Sequence, residues 1–121
     1  MTFALTFIDM ALYSSGMEAR DMVGYLVEMV DPVDGRGFGD RAIVSHVNTY
    51  SNAEVWWLTG KNPFKPSRGG YLPRRFRKCS AAPLITSEQA RGLSTTTDDF
   101  HGRMVIAALG GLEKLKTMEV E

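Results

Sequence analysis

The sequence predicts an α+β fold: a small, mostly antiparallel sheet of three to four strands, with an N-terminal and a C-terminal helix packed on one face. Three observations predict it. Two runs rich in β-branched and aromatic residues, Arg41–Tyr50 and Ala53–Thr59, flank the short turn signal Ser51-Asn52. A stretch from about Gly16 to Val30 repeats its apolar residues at helical spacing. A second stretch, opening at Thr97, carries a wide apolar helical face. The expected order is β, α, β, β, β and then a helical C-terminal part. At 121 residues the chain is expected to form one domain over 1–121.

Thr2–Ile8 alternates weakly, with Phe3, Leu5 and Phe7 on one side, and reads as the first strand, although a helix running on to Tyr13 competes. Ser15-Gly16-Met17-Glu18 has the form of a capping box. Behind it Met22, Tyr25, Leu26, Met29 and Val30 recur at helical intervals until Pro32. Gly24 is out of place there, because a helix-interior glycine costs about 1 kcal/mol relative to alanine. Asp31–Asp40, with three glycines and a proline, is a loop. In the strand that follows, Ile43, Ser45 and Val47 share one face, and Val44, His46 and Tyr50 the other.

Gly60–Pro73 holds three prolines and three glycines and reads as a long loop. Arg74–Cys79 reads as a strand with Arg75, Arg77 and Cys79 on one face and Arg74, Phe76 and Lys78 on the other. Thr86 or Ser87 caps a short helix through Leu93. Thr97-Asp98-Asp99 opens the last helix with acids where its dipole favours them. Phe100, Met104, Val105, Ala108, Leu109, Leu112 and Leu115 form its apolar face, expected to be core, and Gly110-Gly111 kinks it or ends it early.

The charge distribution points toward function. From Val55 to Ser87 there is no acid, yet Lys61, Lys65, Arg68, Arg74, Arg75, Arg77 and Lys78 all fall there. Seven of the fourteen basic residues therefore sit in one +7 block, and the remainder, seven bases against fourteen acids, is −7. Such a block needs an anionic partner or solvent. Phe64, Tyr71 and Phe76 interleave with it, and Trp56 and Trp57 lead into it. Lys and Arg suit phosphates, and aromatic rings stack on unpaired bases. Adjacent strand residues point to opposite faces, so a one-sided core takes one tryptophan and leaves the other exposed, covered by another element or used at an interface. The candidate binding residues are Trp56, Trp57, Lys61, Lys65, Arg68, Tyr71, Arg74, Arg75, Phe76, Arg77 and Lys78, with Arg74, Arg75, Arg77 and Lys78 on phosphates.

Other motifs carry less. Gly35-x-Gly37-x-Gly39 lacks the spacing of a dinucleotide fingerprint and reads as a flexible connection. Asp31, Asp34 and Asp40 do not match a calcium loop. Cys79 is the one cysteine, so an intramolecular disulfide is excluded, and this fits a reducing, cytoplasmic setting. Its basic neighbours could lower its thiol pKa, but a lone cysteine at a strand end more often serves as a small apolar residue. The apolar N-terminus is short, lacks a basic start and is interrupted by Asp9, so neither a signal peptide nor a membrane span is expected.

The expected function is non-enzymatic: the basic segment 61–78 contacts a nucleic-acid backbone, DNA or RNA, or another polyanion, with no cofactor. The alternative is a small adaptor or inhibitor docking its basic loop on an acidic protein surface, a homo-oligomer joining basic and acidic surfaces being one form of it. A third class is a small enzyme using His46 or His101.

Overall fold

The computed structural model describes residues 18–95 and 99–119. Over these residues the protein is a small α+β fold built on a four-stranded antiparallel sheet, β1 (Leu26–Met29), β2 (Arg41–Val47), β3 (Ala53–Trp57) and β4 (Phe76–Lys78), in the order β3-β2-β1-β4. Three helices follow: α1 (Ser87–Thr95), α2 (Asp99–Ala108) and α3 (Leu112–Thr117). The strand expected over 2–8 and the start of the capping box lie outside the described residues.

The helix expected over 16–30 is corrected where the chain is described. Ala19–Met22 is a single 3-10 turn, and Leu26–Met29 is strand β1. Gly24 divides them with φ +86°, a left-handed conformation that glycine adopts without strain. A β-carbon there would lie 2.5 Å from the Ile85 carbonyl oxygen. The sequence misleads for a physical reason. β1 pairs on both edges and is covered on both faces, so its apolar residues run on without alternating, and such a run fits either period.

Two hydrophobic clusters lie on opposite faces of the sheet. On one face Leu26, Ile43, Trp56, Leu58 and Cys79 pack with Ile85, Ala90, Leu93, Ile106 and Leu115 of the helical part. On the other Val27, Met29, Ala42, Val44, Val55, Trp57 and Phe76 pack with Ala19 and Met22, with Tyr25, Val33 and Tyr71 against them. Met22, Leu26 and Met29 are core as expected, but Leu26 serves the opposite face from the two methionines. A bulge between Val44 and His46 takes up one residue. Val47 therefore joins the face opposite Ile43, while Ser45 turns its hydroxyl onto the Glu54 carbonyl at 3.1 Å.

Local signals set the helical part. Thr86 and Gln89 cap α1 reciprocally: the Gln89 amide donates to Thr86 Oγ1 at 3.1 Å, and the Thr86 amide to Gln89 Oε1 at 2.8 Å. Gly110 and Gly111, at φ +103° and +96°, end α2 and start α3. The Gly111 amide returns to the Ile106 carbonyl at 2.9 Å, a Schellman-type closure. The apolar face expected on this segment is partly corrected. Phe100 and Met104 are 63% and 56% exposed and Ala108 is exposed, whereas Leu115 is buried, Val105, Leu109 and Leu112 pack half-buried against the core, and Ile106 joins them.

Helix α2 reaches the sheet through Gly102, which lies against the Trp56 ring; a β-carbon there would stand 2.0 Å from Trp56 Cζ2. Alanine would gain about 1 kcal/mol of helix propensity and meet an immovable indole, and overpacking costs about 1–3 kcal/mol or more. Gly102→Ala is expected to lower the urea midpoint, whereas Gly69→Ala, whose β-carbon meets nothing within 4 Å, leaves it unchanged.

Candidate functional site

The loop expected over 60–73 does not project from the fold. It turns back and lies along β3, the outer strand that its own chain has just left. The Phe64 amide donates to the Trp57 carbonyl at 2.8 Å, and the Trp57 amide to the Lys65 carbonyl at 3.0 Å. The Ser67 amide reaches the Val55 carbonyl at 2.8 Å, and Ala53 and Tyr71 exchange amides and carbonyls at 2.8 and 2.9 Å. Bulge-like spacing keeps this from being a regular strand, yet it satisfies the backbone groups of an edge that would otherwise invite pairing.

The return requires strain. Gly60, Asn62 and Phe64 all have positive φ, +85°, +55° and +62°. A left-handed phenylalanine is held only by its surroundings. Here the Phe64 ring packs on Trp56, centroids 5.7 Å apart, with the Arg103 guanidinium 4.4 Å from its own centroid.

Between this loop and the β1–β2 connection opens a cleft of about 710 Å³, lined by Asp34, Arg36, Trp57, Lys61, Asn62, Lys65–Gly70 and Tyr71. The opposite wall is built by a tight turn. The Arg36 amide donates to the Val33 carbonyl at 3.1 Å, and Asp34 and Gly35 between them have φ +58° and +76°, as in a type I′ turn. This places the Arg36 guanidinium over the Trp57 ring, 3.9 Å from its centroid, with Nη1 donating to the Thr59 carbonyl at 3.3 Å. The two contacts hold the guanidinium at the cleft wall and leave it further donors for a ligand. Partial burial lowers the Arg36 pKa from its ordinary value, opposed by Tyr71 and Asp40, and the group stays charged. Tyr71 is held protonated: burial raises its pKa, Asp34 adds to the rise, and Arg36 opposes it.

The basic block is divided by the fold. Lys61, Lys65 and Arg68 line the cleft with Arg36, and among the described residues no carboxylate lies within 4.0 Å of any of these four or of exposed Arg74. Arg75 is paired with Asp31 at 2.9 Å. Arg77 is paired with Glu28 at 2.6 Å and Glu119 at 3.2 Å, which raises its pKa. Lys78 lies over the Tyr25 ring, 4.0 Å from its centroid. β4 is an edge strand, and register decides the fate of Arg77: it is the cross-strand partner of Glu28, which is in turn the partner of Arg41.

The aromatic residues turn inward. Trp56 and Trp57 are each 1% exposed: of the expected fates for the second tryptophan, the fold takes cover by other elements, because both sheet faces are packed, and neither ring is an exposed platform. Phe76 is buried, and Trp57, Tyr71 and Phe76 form a cluster with centroids 5.7 to 6.3 Å apart, Tyr71 standing edge-on to the other two. Of the candidate platforms, half-buried Tyr71 and buried Trp57 border the cleft, and Trp57 is covered there by Arg36.

Arg36 is the cleft residue that the linear charge count misses, since it stands among acids in sequence. Its signal is Asp34-Gly35, a dipeptide that favours a type I′ turn and presents the next side chain beside it. The other chemical candidates stand apart. Cys79 is fully buried in the core as a small apolar residue, and burial raises its thiol pKa against the opposing pull of Arg41 and Arg77, so its basic neighbours in sequence do not activate it. His46 is exposed opposite Glu54, and exposed His101 lies against Gly92. Asp31 pairs with Arg75, Asp40 accepts the Gly37 amide at 2.8 Å, and Asp34 faces the cleft. Among the described residues there is no cluster of potential metal ligands, and no helix is long and apolar enough to cross a membrane.

Tyr71 and Cys79 are both held protonated by the fold, so the unfolded chain loses these protons first. Their contribution to stability is complete below the ordinary thiol value of about 8.5 and is lost as pH rises through the tyrosine range near about 10 and beyond. Urea denaturation at neutral pH and at about pH 9 and 10.5 is expected to show this alkaline decline, with Cys79→Ala removing its first part.

No protein-family model, no curated protein and no solved structure matches this chain.

Proposed function

We propose that this is a non-enzymatic binding protein that grips the backbone of a nucleic acid, or another polyanion, in the cleft between Arg36 and the 60–73 loop. The observation that carries this reading is the convergence of Arg36, Lys61, Lys65 and Arg68 on one cleft without a carboxylate in ion-pair reach among the described residues. Cations so placed raise the local concentration of anions. Arg36 is preorganised by its stack on Trp57 and can donate a planar pair of hydrogen bonds to a phosphate. Arg74, exposed and outside the cleft lining, is a flanking contact. Base stacking is not part of the reading, since Trp56, Trp57 and Phe76 are buried. Contacts then fall on phosphates, which position a nucleic acid without reading its sequence.

The second reading, an adaptor or inhibitor on an acidic protein surface, is favoured by Phe38. It is 74% exposed in the same connection as Arg36 and offers the apolar contact that a protein interface uses.

Fluorescence titration with short single- and double-stranded DNA and RNA at low salt separates these readings. Polyanion binding is expected to weaken with salt at a log–log slope of roughly −3, four contacts at about −0.7 each. Arg36→Ala, Lys61→Ala or Arg68→Ala should each flatten the slope by about 0.7. Arg77→Ala should leave the slope unchanged, because its partners are Glu28 and Glu119. No binding to any of the four nucleic acids at low salt sinks this reading, and capture of one defined acidic protein, lost on Phe38→Ala, would establish the second.

A further inference from the structure

The cleft contains one residue that a simple polyanion site does not need. Asp34 lines it among four cations, and no hydrogen bond or ion pair to its carboxylate is made among the described residues. Its position is not adventitious slack in a loop. The type I′ turn that sets Arg36 on Trp57 also sets Asp34, two residues earlier, on the same wall. The carboxylate is close enough to Tyr71 for its charge to help keep the phenol protonated. A phosphate alone is repelled by it. A ligand that carries an anion and, a few bonds away, a hydroxyl donor satisfies both walls: the anion meets Lys61, Lys65, Arg68 and Arg36, and the hydroxyl donates to Asp34.

The space limits the ligand further. About 710 Å³ is the size of a small-ligand pocket, typically about 300–1,000 Å³, and has room for a nucleotide or two but not for a duplex. A duplex displays its 2′-hydroxyls across a wide, shallow groove that is read over many base pairs, whereas a single strand can lay one sugar and its phosphate together along a cleft of this size. Sugar hydroxyl and phosphate lie on one edge of a ribonucleotide, and the 2′-hydroxyl is the group by which a protein distinguishes RNA from DNA.

We propose that the cleft binds the ribose–phosphate unit of single-stranded RNA, with the cationic side chains on the phosphate and the Asp34 carboxylate accepting a hydrogen bond from the ribose 2′-hydroxyl. This rests on the polyanion reading above and sharpens it. Tyr71 Oη–H is the neutral donor available to the same sugar or to a phosphate oxygen. The preference comes from a carboxylate at the solvent edge, so it is moderate, roughly three- to tenfold.

The test compares an RNA oligonucleotide with its DNA counterpart and with the 2′-O-methyl RNA of the same sequence, at one low salt concentration. Free uridine monophosphate is the fourth probe. Wild type is expected to prefer RNA to both analogues and to bind the free nucleotide far more weakly, the latter because a strand brings several phosphates. Asp34→Asn keeps a residue that tolerates positive φ. It is expected to bring the RNA to DNA ratio close to one while leaving or strengthening DNA binding, since a negative charge is removed. Equal binding of RNA and DNA by the wild type overturns this inference and leaves the polyanion reading standing. A preference that survives Asp34→Asn overturns the role given to Asp34. Uridine monophosphate binding as tightly as the oligonucleotide makes a free nucleotide, not a strand, the ligand. Binding to none of the probes overturns the polyanion reading itself.

Discussion

A single buried guanidinium ties the helical part to the sheet. Arg41 opens β2 and is only 4% exposed. A charge removed from water at that depth is tolerable only with partners on all sides. Arg41 Nη1 donates to the Leu115 carbonyl at 2.8 Å and the Met118 carbonyl at 2.7 Å, which are orphan acceptors at the end of α3. Its Nη2 lies 3.3 Å from Glu119 and 3.6 Å from Glu28. The same residue's backbone holds the far end of β3, receiving the Leu58 amide at 2.9 Å and giving its own amide to Thr59 Oγ1 at the same distance. Strand, helix end and the entry to the basic loop thus meet at one side chain. The row Arg41, Glu28, Arg77 alternates in sign across three strands, so a one-residue slip of β1 would set Val27 or Met29 against Arg41 in place of Glu28.

How much of this could be read from the chain depended on range. The β2–β3 hairpin, the Thr86 cap and the division at Gly110-Gly111 were legible, because each is decided within a few residues. β1 was not. Tyr25, Leu26, Met29 and Val30 satisfy a helical spacing, and only the strands on either side make Leu26–Met29 extended. Gly24 was the local hint, since a glycine that is costly inside a helix is free at φ +86° between two elements. The tryptophans were misjudged through the sheet, not through themselves: alternation was right, and the assumption of one solvated face was not.

The candidate site was half legible. A +7 stretch in the sequence is real, but in its densest part, Arg74–Lys78, the fold supplies acids to Arg75 and Arg77 and a ring to Lys78, while the sparser Lys61, Lys65 and Arg68 stay without a carboxylate among the described residues, as Arg74 does outside the cleft. Pairing across strands is a property of register and cannot be read from neighbours in the chain. The fourth cation of the cleft, Arg36, comes from a different connection and is joined to the others only through Trp57. Distance in sequence, not weakness of signal, separated the parts of the cleft.

The backbone bonds by which the 60–73 loop lies along β3 have a further consequence. Lys65, Ser67 and Tyr71 occupy the hydrogen-bonding positions that a strand from another molecule would use. The wall of the cleft and the guard on the sheet's outer edge are therefore one piece of chain. Whatever clamps that wall against Arg36 also seals the edge, and whatever peels it away bares Val55 and Trp57 to a neighbouring strand. The same few amides that shape the cleft wall are thus the ones that keep the outer edge of the sheet closed to another strand.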